Sequence, residues 1–210
     1  MKKIYQLFMG LLAVGILQEA RAQVLQNNGI LQIGANATLH VQGDFTNANT
    51  TESDFRSSGT FSITGNWTTN KVIPSTYASS GKFVFSGSTA QTFSVLNGLQ
   101  IGDFEINNAQ GLTLSGPVLV NGVATFTNGI VNASSSLNRL QINGTSSTVT
   151  GAKDASHVLG YVARTGTGAL SFPVGNGTKL QQLDFNRTSG GSALMTVNYV
   201  AADAGGSTFT

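Results

Sequence analysis

The sequence contains no cysteine among its 210 residues. A disulfide framework and a thiolate metal site are therefore both excluded. The fold must be stabilised by packing and hydrogen bonding alone, and we expect no cofactor.

Long hydrophobic runs are also scarce, and the main one lies at the N-terminus. Lys2 and Lys3 precede an apolar run, Leu7–Leu17, that is too short to span a bilayer, and Ala20-Arg21-Ala22 follows it. This order of a positive start, a short apolar run and a small-x-small site is typical of an export signal. We predict cleavage after Ala22, a secreted or cell-surface location, and no membrane-spanning segment in the mature chain.

Charged residues make up only 10% of the chain. Removal of the predicted signal takes three of the 11 basic residues and one of the nine acidic residues, which leaves eight of each sign. A neutral mature chain lacks the basic surface that nucleic-acid binding requires. Nucleic acid is therefore excluded as a partner.

One pattern is present three times at a constant interval, which separates Leu39 from Phe61 and Phe61 from Phe83. Apolar residues alternate with Thr, Ser, Asn and Gln in each copy, and a glycine follows, which is typical of strands and turns. We predict that these residues form the core of a structural repeat: Leu39, Val41 and Gly43; Phe61, Ile63, Gly65 and Trp67; Phe83, Phe85 and Gly87.

A fixed period of this length predicts stacked units that bury one another's apolar side. We predict an all-β fold, a β-solenoid with about 22 residues per coil over residues 23–150, in which Leu39, Phe61 and Phe83 form one column. We expect Val24–Gly34 to form a short first coil that covers the open end of the stack. Phe104 continues the column with one position deleted, and the full interval returns from Val118 to Leu140.

The pattern changes after Gly151. Short apolar stretches are separated by glycine-rich turns at distances typical of hairpins: Tyr161–Arg164, Leu170–Val174, Leu183–Phe185 and Leu194–Tyr199. We predict a small antiparallel β module over residues 151–210. The last nine residues supply no closing strand, so we expect the natural protein to continue beyond Thr210.

Two pairs of acids are spaced i, i+2, namely Glu52 with Asp54 and Asp103 with Glu105. On a strand this spacing places both carboxylates on one face about 7 Å apart, which is compatible with glycoside hydrolysis. The repeat places no second acid beside either pair, so we expect solvent-exposed charges and no catalytic site. We likewise expect solvent-exposed imidazoles at His40 and His157, and no metal site. Trp67 alternates with Phe61 and Ile63, which predicts a core position.

The segments His157–Gly168 and Phe172–Gly175 resemble the region that joins repeats to later domains in large surface proteins of gliding and gut-associated Gram-negative bacteria. Gly65-Asn66-Trp67 and Phe93–Leu112 are similar to the repeats of those proteins. The resemblance implies a cell-surface location and export by type IX secretion. The C-terminal sorting domain that is usual in such proteins is not found in this sequence.

Two functions follow as expectations. The first is a non-enzymatic, adhesin-like protein or stalk whose solenoid displays polar loops to an extracellular glycan or matrix protein. The second is an extracellular carbohydrate-active enzyme, a polysaccharide lyase or glycoside hydrolase that uses the groove of the solenoid.

Overall fold

The computed structural model describes residues 23–48, 51, 54–73 and 80–200. These residues form 22 strands and no helix. The predicted signal (1–22), Glu52, and the tail (201–210) lie outside the described residues. The chain winds through about six turns with roughly 22-residue spacing, which confirms the predicted solenoid.

The turns visit three faces in the same order, although the described residues between β7 and β8 include no strand on the third face. Strands are numbered along the chain. The first sheet contains β1 (Gln23–Asn27), β4 (Gly43–Asn47), β7 (Trp67–Thr69), β9 (Gln91–Ser94), β12 (Leu112–Ser115), β15 (Val131–Ala133), the start of β18 (Val158–Arg164) and β20 (Val174–Gly175). The second sheet contains β3 (Thr38–Val41), β6 (Thr60–Ile63), β8 (Lys82–Phe85), β11 (Asp103–Asn107), β14 (Val123–Asn128) and β17 (Thr148–Thr150).

The third face lies between the other two in each turn. It begins with β2 (Ile30–Ile33) and β5 (Asp54–Ser57) and resumes with β10 (Leu99–Ile101), β13 (Val118–Val120), β16 (Leu140–Ile142) and the end of β18. β22 (Met195–Asn198) is added to this face. A separate hairpin joins β19 (Gly168–Phe172) to β21 (Leu183–Arg187).

The second sheet carries the predicted column. Leu39 is paired with Phe61, Phe61 with Phe83 and Phe83 with Phe104, all in parallel strands. Phe61 and Phe83 are fully buried, whereas Leu39 is half-buried because it lies in the first turn. The inward residues of each strand therefore become core only when another turn covers them.

The predicted glycines lie where the chain passes from the second sheet to the first. Gly43 has a φ of +118°, and a side chain there would collide with the backbone of Gln23. A side chain at Gly65 would collide with the backbone of Gly43, and one at Gly87 with the carbonyl of Thr64. Glycine recurs here because successive turns approach too closely for a Cβ atom.

Aromatic rings fill the interior of the first turns. Trp67 is fully buried and stacks on Phe45 at a centroid distance of 4.3 Å. Edge contacts at 4.7 Å and 4.8 Å join it to Phe55 and Phe61. Aliphatic side chains are more frequent in the core of the fifth turn, at Leu112, Leu114, Val118 and Val120, although Phe126 in that turn is also fully buried.

The structure corrects the placement of Tyr161–Arg164, which the sequence analysis assigned to the antiparallel module. β18 pairs in parallel with β15 through Val158 and with β16 through Val162, so it is another turn of the solenoid. Between the described strands, antiparallel pairing occurs only later, in β19 with β21 and in β22 with β18. The hairpin-like spacing was misleading because one long strand turns a corner and belongs to two faces.

Candidate interaction surface

Asp103 and Glu105 both face outward from the second sheet, because Phe104 and Ile106 between and beyond them are fully buried. Asp103 Oδ1 accepts a hydrogen bond from the Val123 amide at 2.7 Å. Glu105 Oε2 pairs with Lys82 Nζ at 2.6 Å, and Thr127 donates to Oε1 at 2.9 Å. Each carboxylate therefore links its own turn to a neighbouring turn.

Lys82 holds the pKa of the Glu105 carboxyl below its usual range, and the Thr127 hydroxyl lowers it further against the opposing effect of burial. A carboxyl group whose pKa is lower in the folded chain than in the unfolded chain stabilises the fold at pH values above its ordinary pKa of 4.5. That contribution should be lost as pH falls below this value and through the lowered folded pKa. An NMR titration of the Glu105 carboxyl should show the low midpoint, and Lys82→Met should return it toward 4.5. An unchanged midpoint in Lys82→Met would show that the ion pair does not cause the shift.

Asp54 is similarly engaged. Asp54 Oδ2 lies 2.7 Å from Arg56 Nε, and Glu52 lies outside the described residues. No group of three or more His, Cys, Asp or Glu residues that could hold a metal ion occurs in residues 23–200 as far as they are described.

The two histidines have different environments. His40 lies on the outer face of the second sheet, where Nδ1 is 3.1 Å from Ser62 Oγ. His157 is fully buried, contrary to the expected solvent-exposed imidazole. Its Nδ1 lies 3.2 Å from the Lys153 carbonyl oxygen, and the Gly177 amide donates to Nε2 at 3.1 Å. The turn that contains Gly177 folds over the ring, so His157 is a structural link between this turn and the last coils.

The outer face of the first sheet is the most uniform polar surface. Its outward residues are paired in register from turn to turn, so they form columns parallel to the solenoid axis. The longer column contains Gln26, Thr46, Thr68, Ser94 and Ser115. A shorter one contains Thr92, Thr113 and Asn132. Neighbours within a column are about 4.8 Å apart.

Charge is nearly absent from this outer face. Among the outward residues of the described strands in the first sheet, the only charged one is Asp44. Asp44 Oδ1 accepts from the Asn66 amide at 2.7 Å and from Asn66 Nδ2 at 3.2 Å. A column of like charges would repel itself at this spacing, which accounts for the choice of neutral hydroxyl and amide groups.

A shallow groove of about 250 Å³ runs along one edge of this face. Its walls combine small apolar and polar groups: Ala90, Ala109, Gln110, Thr113, Ile130 and Asn132. The columns and the groove together form what we call the hydroxyl face. It offers donors and acceptors at a regular spacing.

The hydroxyl face could not be predicted from the sequence, because the interval between its paired outward residues is not constant. Thr46 and Thr68 keep the regular interval, but the interval from Thr68 to its partner Ser94 is longer. The extra length lies in the connection between β8 and β9, because Phe61 and Phe83 still keep the regular interval. The alternation of Thr92, Phe93 and Ser94 was the available signal, since it marks outward hydroxyls on either side of an inward ring.

The chain matches no protein-family model, no curated protein and no solved structure. In the described part of the chain, no helix is long and apolar enough to cross a membrane. The function must therefore be argued from the surface itself.

Proposed function

We propose that the protein is an exported structural component of the cell surface, without enzymatic activity, whose solenoid displays the hydroxyl face to an extracellular glycan or matrix protein. The observation that carries this proposal is the in-register column from Gln26 to Ser115. A rigid stack holds these groups in place before a partner arrives, so little conformational entropy is lost on binding.

The state of the acids supports a non-enzymatic role. Glycoside hydrolysis needs one carboxylic acid that can donate a proton and a second carboxylate free to act. Glu105 is held in its ionised form by Lys82, and Asp103 is bonded to the backbone of the next turn. The hydroxyl and amide groups of the hydroxyl face suit the binding of a partner by hydrogen bonds.

The export signal and the resemblance to bacterial surface proteins support a role outside the cell. Neutral polar columns suit that setting because they interact with uncharged sugars and with peptide groups at any salt concentration. The same rigidity also suits a stalk that carries another domain. We propose type IX secretion as the export route on the strength of the resemblance alone.

A binding screen tests the adhesive role. The chain should bind a member of a glycan array or a panel of matrix proteins, and Thr113→Lys should weaken that binding at least tenfold by placing a hydrated charge on the hydroxyl face. Thr148→Lys is the matched control, since Thr148 is equally exposed but lies on the second sheet. Equal weakening by both variants would argue against the hydroxyl face as the binding surface.

Two other results would change the proposed function. Clean blanks on both panels would leave the stalk role only. Release of oligosaccharides from pectin or alginate, abolished by Asp103→Asn, would replace it with an enzymatic function.

A further inference from the structure

The first turn of the described solenoid leaves the edges of three strands without a neighbour. β1 pairs only with β4, β2 only with β5 and β3 only with β6. The opposite edge of each strand presents backbone N–H and C=O groups at the end of the stack. Such edges pair readily with another chain unless something protects them.

The residue types that usually prevent strand edges from pairing are missing from this end of the stack. Residues 23–42 contain no Asp, Glu, Lys, Arg or Pro, although these residue types discourage edge pairing. Val24 is 60% exposed and Ile30 is 66% exposed. Leu25 is 39% exposed, whereas Phe45, its partner in the same column, is fully buried. A hollow of about 370 Å³ lies between β1 and β3 at this end, and its lining is half apolar (Val24, Leu25, Val41) and half polar (Gln23, His40, Gln42).

The opposite end of the described solenoid is covered on the first and third faces. β22 lies antiparallel along β18, β20 pairs with the start of β18, and the β19–β21 hairpin follows. Lys179 and Asp154 form an ion pair at 2.6 Å over this end. Because β18 is already paired with β20 and β22, a second copy cannot continue the stack from head to tail on all three faces, although β17 pairs only with β14.

We propose that a second copy of the chain docks on the open end, head to head, about a two-fold axis perpendicular to the solenoid. A two-fold axis through the first sheet places β1 antiparallel to the partner's β1. The same rotation exchanges the two remaining faces, so β2 meets the partner's β3. Such an interface is self-complementary and closes at two copies, with no tendency to form an open fibre.

The two exchanged strands match each other. β2 and β3 have four residues each and the same order of exposed, half-buried, exposed and buried positions. Their inward residues are Leu31 with Ile33 and Leu39 with Val41. Antiparallel pairing therefore continues the core of each chain into the other without placing a polar residue inside. The absence of formal charge in residues 23–42 means that neither copy repels the other.

Sedimentation velocity on the full chain tests this proposal, which does not depend on the proposed function. We expect a concentration-dependent dimer. Val24→Asp should raise its dissociation constant at least tenfold, since it brings two like charges together near the axis. Thr113→Asp adds the same charge far along the first sheet and should leave the dimer intact. Circular dichroism would verify the fold of both variants.

Cross-linking locates the interface, because the natural chain has no cysteine. Gln26→Cys should give a covalent dimer with a short bismaleimide, whereas Thr113→Cys should not. A monomer at every concentration measured, an open series of larger species, or a dimer that is insensitive to Val24→Asp would overturn the proposal. So would a monomer in the chain that begins at Gln23, the form expected once the predicted signal is removed.

Discussion

Trp67→Ala should remove about 3–5 kcal/mol from the free energy of unfolding, the range for truncating a large aromatic ring in a packed core. Trp67 is fully buried, and its ring contacts aromatic residues from three successive turns at centroid distances of 4.3–5.9 Å. The partners are Phe45, Phe55, Phe61, Phe83 and Phe93. Edge-to-face and stacked pairs of this kind add to the loss from the cavity itself.

The form of the unfolding curve should change as well. A solenoid is stabilised by each turn and by its interface with the next one, so a weakened interface can separate the stack into two units. We expect urea unfolding of Trp67→Ala, followed by circular dichroism, to become biphasic, with the turns on the N-terminal side of Trp67 unfolding first. A single transition shifted by less than about 1 kcal/mol would contradict the assigned role.

Trp67→Phe is the matched control. It keeps an aromatic ring at the same place, and the Trp67 Nε1 atom is buried without a hydrogen-bond partner in the described structure, so no hydrogen bond is lost. We expect a cost of about 1 kcal/mol, from the smaller ring. Because Trp67 is the only tryptophan, its fluorescence reports on this interface in the unmodified chain.

The strands and their stacking could be predicted because both depend on local pattern. Alternation fixes which side chains face inward, and a repeated interval fixes which of them meet. The pairs of Leu39 with Phe61 and of Val118 with Leu140 follow from these two rules, and both occur in the structure. The pairing of Phe83 with Phe104 could also be predicted, although the interval between them is one residue shorter than in the other turns.

The lengths of the corners could not be predicted in the same way. Val131 and Val158 are paired although the interval between them exceeds one regular coil, because the intervening turns bulge outward without disturbing the strands. The parallel pairing of β18 did have a sequence signal in the regular interval from Leu140 to Val162. That signal was outweighed by nearby glycine-rich turns that are equally typical of hairpins.

The burial of several polar residues could not be predicted from the sequence for a different reason. A glutamine or histidine in a turn has the same local sequence whether a later turn covers it or not. Gln91, Asn108 and His157 are buried only because residues distant in sequence fold over them. Their roles therefore become visible only from the hydrogen bonds that the structure reveals.

Gln91→Leu is expected to cost about 3 kcal/mol, since each buried polar group left without a partner costs about 1–3 kcal/mol. Gln91 is only 2% exposed. Its Nε2 donates to the carbonyl oxygens of Ile63 at 3.2 Å and Gly65 at 2.5 Å. Its Oε1 accepts from the Gly87 amide at 3.0 Å and from Asn108 Nδ2 at 2.9 Å. Leucine has a similar volume, so the loss should come from the orphaned groups and not from a cavity.

A double-mutant cycle of Gln91→Leu and Asn108→Leu, measured by chemical denaturation, isolates the interaction between these two side chains from their other hydrogen bonds. Asn108 Nδ2 also donates to the carbonyl oxygens of Thr89 at 2.7 Å and Gly111 at 3.3 Å, so the single variants each leave different groups unpaired. The double variant should cost about 1 kcal/mol less than the sum of the two, because the bond between them is lost only once. Gln42→Leu, at an exposed glutamine, should be nearly neutral. Additive losses would show that Gln91 and Asn108 act independently, and a neutral Gln91→Leu would remove Gln91 as the polar link between the turns.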